Sequence, residues 1–346
     1  MPMLNEENRN ILNKETNPAE DLNAVTKKVL AAVKQYDMIK SGDRIIVALS
    51  GGADSVTLLH CLNEIKDILG FELFACHVNH NIRGKDSDED QAYAEGLCGK
   101  MNISIRVFSV DVLGTAEKHQ SVEERARALR YEAFAQEASR LGAKVATAHN
   151  SCDNTETVFL NMLRGTGLKG LCGIPPVRDY LIRPLILCTR EEIESYCKEK
   201  CLEFVTDKTN FSTAYTRNKI RLELLPKVLE INPSLYDGIS RMTSSLTEDS
   251  VFLEKMAKER LSEARLEDNI YSSEKLAALP RPLLTRAISL MLRERDIEPT
   301  TIKINGFEEI IKAGKGKVNI EKNKFAVVKK GRAEIQIIIQ NYRKRN

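Results

Sequence analysis

Short apolar segments alternate with amphipathic segments through the first 200 residues of the chain. Strands are predicted where β-branched and aromatic residues cluster between turns, and helices where apolar residues recur every three or four positions. The predicted strands are residues 44–50, 71–80, 103–112, 143–149 and 180–185. The predicted helices are residues 21–39, 56–69, 88–101, 121–142, 153–165 and 189–201. This alternation predicts an α/β fold with a doubly wound parallel sheet.

The pattern changes class after about residue 215, where we predict a domain boundary. The elements predicted beyond it are helices at 232–265 and 280–313 and a β region at 318–339. We therefore expect three parts. They are a flexible tail at 1–20, the α/β domain at 21–215, and a mainly helical C-terminal domain with a small β element at 216–346.

Composition narrows the class of protein. With 42% hydrophobic and 29% charged residues among 346, the chain has the balance of a soluble globular protein. No apolar run reaches the roughly 18 residues that a membrane helix needs, and the N-terminus lacks the apolar core of a signal peptide. We therefore expect a cytoplasmic protein with no membrane partner. The net charge of +3 neither requires nor excludes nucleic acid.

The chain has eight cysteines, and no two have the C-x-x-C spacing of zinc, iron–sulfur or redox sites. Cys197 and Cys201 are four residues apart, but two ligands do not make a metal site. Most of the others lie in apolar runs, as Cys76 does. We therefore predict buried, reduced thiols.

One glycine-rich loop carries the strongest chemical signal, and it joins the first predicted strand to the following helix. It reads Ser50-Gly51-Gly52-Ala53-Asp54-Ser55. Two glycines and a helix N-terminus present backbone N–H groups to a phosphate without obstructing side chains. Ser50 and Ser55 add hydroxyl donors, and Asp54 can hold Mg²⁺ on pyrophosphate oxygens. An ordinary capped turn would also use these residue types, but the combination S-G-G-x-D-S at this junction favours a phosphate site.

Other glycine-rich motifs do not fit. The loop at 50–55 lacks the Gly-Lys-Ser/Thr of a Walker A motif, so no lysine reaches a γ-phosphate. The segment 165–170 spells G-x-G-x-x-G, but it follows a predicted helix instead of a strand. Residues 313–317 lack a Ser/Thr and a preceding strand. We predict no nucleotide site at either segment.

Polar side chains follow the second and fourth predicted strands. Ligands bind at the carboxyl ends of strands in an open parallel sheet, so these side chains should lie beside the glycine-rich loop. His77, His80 and Arg83 lie in the segment that ends the second strand, and two histidines without a third ligand do not indicate zinc. Asp153 and Glu156 begin the helix after the fourth strand. Capping accounts for Asp153 alone, whereas two carboxylates beside a phosphate loop suit Mg²⁺ or a substrate ammonium.

A polar and basic block follows near the predicted domain boundary. Asp207 and Asn210 come first, and Arg217 and Arg221 lie four residues apart on one face of a predicted helix. The two arginines suit an anionic ligand, and a solvated basic stripe is the alternative interpretation.

Taken together, these blocks resemble one family, the tRNA(Ile)-lysidine synthetases. The matching segments, in the family's order over about residues 40–233, are ALSGGADSVTLLHCL, ACHVNHNIRGKDSDEDQAYAEGLC, SVEERARALRYEAF, ATAHNSCDNTETVFLNMLRGTGLKGLCGIPP, LIRPLILCTREEIESY and VTDKTNFSTAYTRNKIRLELLP. The resemblance implies a PP-loop ATP domain and a bacterial ligase. Such a ligase attaches lysine to C2 of the wobble cytidine in the CAU anticodon of an isoleucine tRNA, which changes a methionine-type anticodon into an isoleucine one.

The resemblance also implies a mechanism and its residues. The cytidine O2 attacks the α-phosphate of ATP and pyrophosphate leaves; the lysine ε-amine then attacks C2 and AMP leaves. The implied ATP contacts are Ser50, Gly51, Gly52, Ala53, Asp54, Ser55, His77 and Arg83. The implied catalytic residues are Asp54, Asp153 and Glu156, and the implied Mg²⁺ ligands are Asp54 and Asp153. The implied contacts to L-lysine or tRNA are Asp153, Glu156, Arg164, Asp207, Asn210, Arg217, Asn218 and Arg221.

The chain departs from the family pattern in two places. It reads Cys152-Asp153-Asn154 where the family usually has Asp-Asp-Gln. We also expect it to end where longer members carry a further C-terminal domain, whose tRNA contacts would be absent or replaced. We expect residues 216–346 to bind tRNA, and the oligomeric state stays open, with a homodimer as one option.

Two alternative functions are less compatible with the sequence. A PP-loop tRNA thiolase that makes 2-thiocytidine would need a C-x-x-C pair, which the sequence lacks. A non-catalytic RNA-binding module would release no pyrophosphate, and the retained carboxylates Asp54, Asp153 and Glu156 argue against it.

Overall fold

The computed structural model describes residues 21–81, 85–112, 114–115, 121–205 and 216–337. The chain divides into two compact units, residues 1–243 and 244–346. The boundary predicted at 215/216 adjoins residues 206–215, which lie outside the described residues, and it stays a prediction. The tail predicted at 1–20 also lies outside them.

The first unit is built on a six-stranded sheet. Its strands are β1 Arg44–Ala48, β2 Glu72–Asn79, β3 Ser104–Ser109, β4 Lys144–Ala146, β5 Val177–Arg178 and β6 Leu181–Ile182. They lie in the order β3-β2-β1-β4-β6-β5, and all neighbours are parallel except β5 and β6. The strand order reverses between β1 and β4, where a doubly wound sheet opens a crevice for ligands. The predicted parallel α/β sheet is confirmed.

Local capping chemistry sets the ends of the helices in this unit. The helices are α1 Ala24–Gln35, α2 Ala53–Leu69, α3 Lys85–Lys100, α4 Val122–Leu141, α5 Ser151–Leu163, α6 Leu168–Leu171, α7 Arg190–Glu199, α8 Thr216–Lys219 and α9 Leu225–Ile231. Ser121 and Glu124 exchange side chain–backbone hydrogen bonds at the start of α4, which is a capping box. Gly70 and Gly142 end α2 and α4 in the left-handed conformation, with φ of 69° and 61°.

Two hydrophobic layers cover the two faces of this sheet. Successive residues of a strand point to opposite faces, so Ile45 and Val47 pack in one layer and Ile46 in the other. The first layer includes Leu58 of α2, and the second includes Phe134 of α4. Because both faces are covered, the strands carry continuous apolar runs rather than alternating ones.

The second unit, residues 244–346, has its own antiparallel sheet and core. Helix α10, Leu235–Ala264, crosses the division between the units along the chain. The elements that follow are β7 Arg265–Glu267, β8 Ile270–Ser272, α11 Ser273–Ala277, α12 Arg281–Arg293, α13 Thr301–Lys312, β9 Gly316–Glu321, β10 Lys324–Lys329 and β11 Arg332–Ile337. The strand order is β7-β8-β11-β10-β9, and Phe307 and Met291 are buried in the core beneath it. The predicted helices and β region are confirmed. Strands β7 and β8 were not predicted, since three residues are too few to show an alternation.

Two expectations from composition can be checked in the structure. Within the described residues, no helix is long and apolar enough to span a membrane. All eight cysteines lie in the described part of the chain, and all are free thiols. Their burial is confirmed for six of them, whereas Cys172 is half-buried and Cys201 is exposed, so the prediction is wrong for Cys201.

Candidate active site

The glycine-rich loop lies between β1 and α2, at the point where the strand order reverses. Ser50 and Ser55 brace it, because Ser55 Oγ accepts from Ser50 N at 3.2 Å and donates to the Gly52 carbonyl at 3.0 Å. Gly51 has a φ of 89°, a backbone conformation that favours glycine. Gly52 begins α2 without a side-chain cap. The first backbone N–H groups of the helix therefore have no side-chain acceptor and suit an anion.

Asp54 lies in the first turn of α2 and faces the start of α5. Its Oδ1 accepts from Asn150 Nδ2 at 3.3 Å, and its Oδ2 is 3.8 Å from Arg190 Nη2. Burial raises the pKa of Asp54 to about 6; Arg190 opposes the rise, and the charge of Asp153 adds to it. A carboxylate with a raised pKa beside a phosphate loop indicates a functional site, since a bound cation would favour its charged form.

Asp153 both caps α5 and contacts two arginines. One carboxylate oxygen accepts from Asn150 N at 3.1 Å, and Asp153 N donates to Asn150 Oδ1 at 3.1 Å. The other oxygen lies 3.3 Å from Arg217 Nη2 and 3.4 Å from Arg221 Nη2. Capping and participation in a charged cluster are therefore compatible roles for one side chain.

Glu156 is almost fully buried, with 1% of its side chain exposed, and it bonds to the same two arginines. Arg217 Nε lies 2.8 Å from one carboxylate oxygen, and Arg221 bonds to both oxygens. The arginines thus share a face, as the sequence predicted, but they are held in ion pairs and do not form a solvated stripe. Two carboxylates and two guanidiniums make a cluster with balanced charge, called here the acid–arginine cluster.

Of the two predicted histidines, His77 lies in β2 and is buried, and His80 directly follows β2 and is half-buried. His77 is 4% exposed, and its Nδ1 lies 2.9 Å from the Leu49 carbonyl. His80 Nε2 lies 3.2 Å from Arg130 Nη2. Burial lowers the pKa of His80 to about 4, and Arg130 adds to this effect. His80 is therefore neutral at physiological pH.

The remaining predicted site residues fall into two groups. Arg164 forms the C-terminal cap of α5, eight residues after Glu156. At 1.5 Å per residue this separates the two Cα atoms by about 12 Å along the helix, so Arg164 does not join the cluster. Asn218 lies on α8 beside Arg217. Arg83, Asp207 and Asn210 lie outside the described residues.

Comparisons with known proteins identify the family of this chain. A family model described as a PP-loop domain matches residues 21–228. The tRNA(Ile)-lysidine synthase of Clostridium perfringens is 37% identical over 330 residues, which cover 92% of this chain and 70% of that protein. The chain belongs to the tRNA(Ile)-lysidine synthase family. The Clostridioides difficile member is 44% identical over 240 residues, which cover 68% of this chain and 52% of that protein.

A solved structure supports the fold assignment of this tRNA(Ile)-lysidine synthase family member. It is the U34-tRNA thiolase NcsA from Methanococcus maripaludis with its [4Fe-4S] cluster, which matches with a TM-score of 0.55 and 21% identity. The match covers 65% of this chain and 78% of that chain, and it shows a shared fold alone. In length, the family member described here spans 70% of the Clostridium perfringens protein and about half of the Clostridioides difficile protein.

The carboxylates at the crevice fit Mg²⁺ bound together with a nucleotide. Within the described ranges, no group of three or more His, Cys, Asp or Glu side chains is arranged to hold a metal ion. Asp54 and Asp153 lie close enough for the charge of one to raise the pKa of the other. Mg²⁺ usually takes one or two carboxylates and completes its shell with substrate phosphates and water. The pair therefore suits a metal that arrives with ATP.

Sequence reasoning missed several groups that line this edge of the sheet. Asn150 and Arg190 contact Asp54, and neither was singled out. His149 and Arg183 follow β4 and β6, at the edge of the sheet where β2 carries His77 near its carboxyl end. The rule that led to His77, a polar residue at the carboxyl end of a parallel strand, would have found both.

Proposed function

We propose that this chain ligates lysine to C2 of the wobble cytidine in the CAU anticodon of an isoleucine tRNA and converts ATP to AMP and pyrophosphate. Membership of the tRNA(Ile)-lysidine synthase family supports the reaction, and the PP-loop domain over residues 21–228 supports the use of ATP. The observation that carries the proposal is one crevice that holds both the uncapped phosphate loop and the acid–arginine cluster. The first suits ATP and the second suits an amino acid.

Activation of the base comes first. The cytidine O2 forms a bond to the α-phosphorus of ATP, and pyrophosphate leaves. Backbone N–H groups of the loop, with the Ser50 and Ser55 hydroxyls, hold the pyrophosphate as its charge builds. Mg²⁺ on Asp54 and Asp153 would neutralise part of that charge. His77 and Arg83 are further proposed ATP contacts. The base must leave its stack, which costs least in a single-stranded loop.

Transfer of lysine follows. The ε-amine forms a bond to C2, the bond from C2 to O2 breaks, and AMP leaves with O2. Arg217 and Arg221 suit the α-carboxylate of lysine, and the two carboxylates they now contact suit its ammonium groups. Lysine would therefore bind by exchanging partners within the cluster. Asp153, with 15% of its side chain exposed against 1% for Glu156, is the better placed of the two to accept the amine proton.

Binding of tRNA is assigned to both parts of the chain. We propose that the C-terminal domain, residues 216–346, binds tRNA, with Arg164, Asp207, Asn210 and Asn218 as further contacts to tRNA or lysine. Phosphate contacts dominate the affinity for RNA, so this binding should weaken steeply with salt. A cytoplasmic location accords with this substrate, and a homodimer is a further proposal that sedimentation can check.

The experiment that tests the function is the incorporation of [¹⁴C]lysine into a tRNA(Ile) transcript with a CAU anticodon. Incorporation should require ATP and release pyrophosphate. A transcript in which uridine replaces the wobble cytidine should accept no lysine. Binding of tRNA without pyrophosphate release would instead support a non-catalytic RNA-binding module.

A further inference from the structure

A second group of arginines lies at the carboxyl edge of the same sheet. Arg183 directly follows β6, and Arg127 and Arg130 lie on α4. Tyr131 joins two of them: its hydroxyl is 3.5 Å from Arg127 Nη2, its ring centre is 5.2 Å from the Arg127 guanidinium carbon, and it also hydrogen-bonds to Arg183. We call Arg127, Arg130 and Arg183 the arginine cluster.

The charge of the arginine cluster is not balanced. Among the residues that the structure describes, no carboxylate lies within 4.0 Å of any of its three guanidiniums. Arg217 and Arg221, in contrast, both contact Glu156. The molecule therefore has one neutralised pair of arginines and one group of three with no carboxylate in direct contact among the described residues, and Glu123 acts on Arg130 only at longer range.

The absence of a contacting carboxylate is most unfavourable at Arg183, because this side chain is buried. It is 3% exposed, its Nη1 donates to the Pro175 carbonyl, and its Nε has no hydrogen-bond partner in the described structure. A buried cation without an anion is unfavourable, and a buried donor without an acceptor adds to the cost. The surrounding fold holds this guanidinium in place despite that cost, as is expected of a group that binds an anionic ligand.

The positive charges of the arginine cluster also act on two nearby imidazoles. Burial lowers the pKa of His149 to about 3, and the charges of Arg183 and Arg127 lower it further. His80 contacts Arg130, and its Nδ1 is a second buried atom with no partner among the described residues. Both imidazoles are neutral, so they can hydrogen-bond to an anion without adding charge.

We propose that the arginine cluster is a second phosphate site, which binds a phosphate oxyanion of the tRNA backbone or of ATP. Guanidinium groups match phosphate oxygens in geometry as well as in charge. The glycine-rich loop follows β1, and the cluster lies where β2, β4 and β6 end, so both sites open on one edge of the sheet. The inference rests on the proposed function, which supplies these two sources of phosphate.

The test measures binding of each source separately. Two dissociation constants are measured for the parent chain, Arg130→Gln and Arg183→Gln. One is for ATP with Mg²⁺, and the other is for the CAU transcript, measured over a range of KCl concentrations. We expect at least tenfold weaker binding of one ligand, with the other within about twofold. If the phosphate belongs to tRNA, the slope of log K against log salt should fall by about 0.7 per lost contact, the value for single strands. If it belongs to ATP, only the ATP constant should rise.

Controls separate a binding role from a structural one. Arg125→Gln lies on the same helix, where Arg125 is 3.9 Å from Glu132, and it should change neither constant. Arg183→Lys should recover part of the loss, since it keeps the charge but not the planar guanidinium. Arg127→Gln alters an exposed residue and serves if Arg183→Gln fails to fold.

The proposal would be overturned if folded Arg127→Gln and Arg130→Gln proteins bound ATP and tRNA as the parent does, with an unchanged salt slope for tRNA. A parent chain that binds both ligands but makes no lysidine would defeat the proposed function instead. It would leave this test intact, because the test reads binding alone.

Discussion

Asp54→Asn should make the folded protein more stable and the enzyme inactive. Burial raises the pKa of Asp54 from 3.8 to about 6, so the folded chain favours the protonated form. The stability tied to that proton is fully present below pH 3.8 and is lost as pH rises through about 6. A shift of about two pH units corresponds to about 3 kcal/mol, and the side chain is 31% exposed, so solvent screening makes this an upper bound. We expect a gain of about 2–3 kcal/mol at pH 8 and a smaller one at pH 5.

Urea denaturation of the parent and the variant at pH 5 and pH 8 measures this difference. A pyrophosphate-release assay with ATP, lysine and the CAU transcript should show no turnover by the variant. Asp43→Asn is the matched control, for which we expect a change in stability of the opposite sign. Burial alone would raise the pKa of Asp43, but hydrogen bonds from Lys144 and Lys40 outweigh it and lower that pKa, so this variant should lose stability at pH 8. An Asp54→Asn protein less stable than the parent at pH 8, or one with near-normal turnover, would refute the reasoning.

Three further predictions follow from other contacts. Glu156→Gln removes a carboxylate proposed to hold an ammonium group of lysine, and the loss of such a charge partner typically costs about 3–5 kcal/mol. The KM for lysine should rise about a hundredfold or more while adenylated tRNA accumulates; an unchanged lysine dependence argues for a purely structural role. Residues 1–215 alone should bind ATP but lose tRNA at moderate salt in a filter-binding assay, and equal tRNA affinity would contradict this. Gly173→Ala should lower the thermal midpoint of unfolding, since its Cβ would lie 2.1 Å from Asn154 Oδ1 and its φ of 69° is unfavourable for alanine. An unchanged midpoint would show that the backbone around residue 173 moves to accommodate the methyl group.

The parts of the site that depend on local order along the chain could be predicted from the sequence. The loop at 50–55 is a strand, a glycine pair and a helix start in succession, and each has a local signature. Asp153 and Glu156 were found in the same way, from a helix that follows a strand. The two arginines at 217 and 221 were also placed at the site, but as contacts to a ligand.

The partners of those side chains could not be predicted. The bond between Arg217 and Glu156 joins residues that are 61 positions apart, and it depends on how α8 packs against α5. Propensity and periodicity carry no information about such packing. The raised pKa of Asp54 was hidden for the same reason, since it arises from burial and from the charge of Asp153, which lies far along the chain.

The π-helical segment Ile220–Leu224, between α8 and α9, gives the chain one position at which its length can change. A π-helical turn contains one more residue than the α-helical turn it replaces. Deleting one residue there would leave an α-helical turn of about the same angular span, so the later side chains would keep their direction. Leu225, which is 2% exposed, would stay in the core, and Leu222, at 39% exposed, is the residue whose loss uncovers least. A deletion at Leu222 should therefore be tolerated during evolution, whereas Arg221 in the same segment bonds to Glu156 and should vary little.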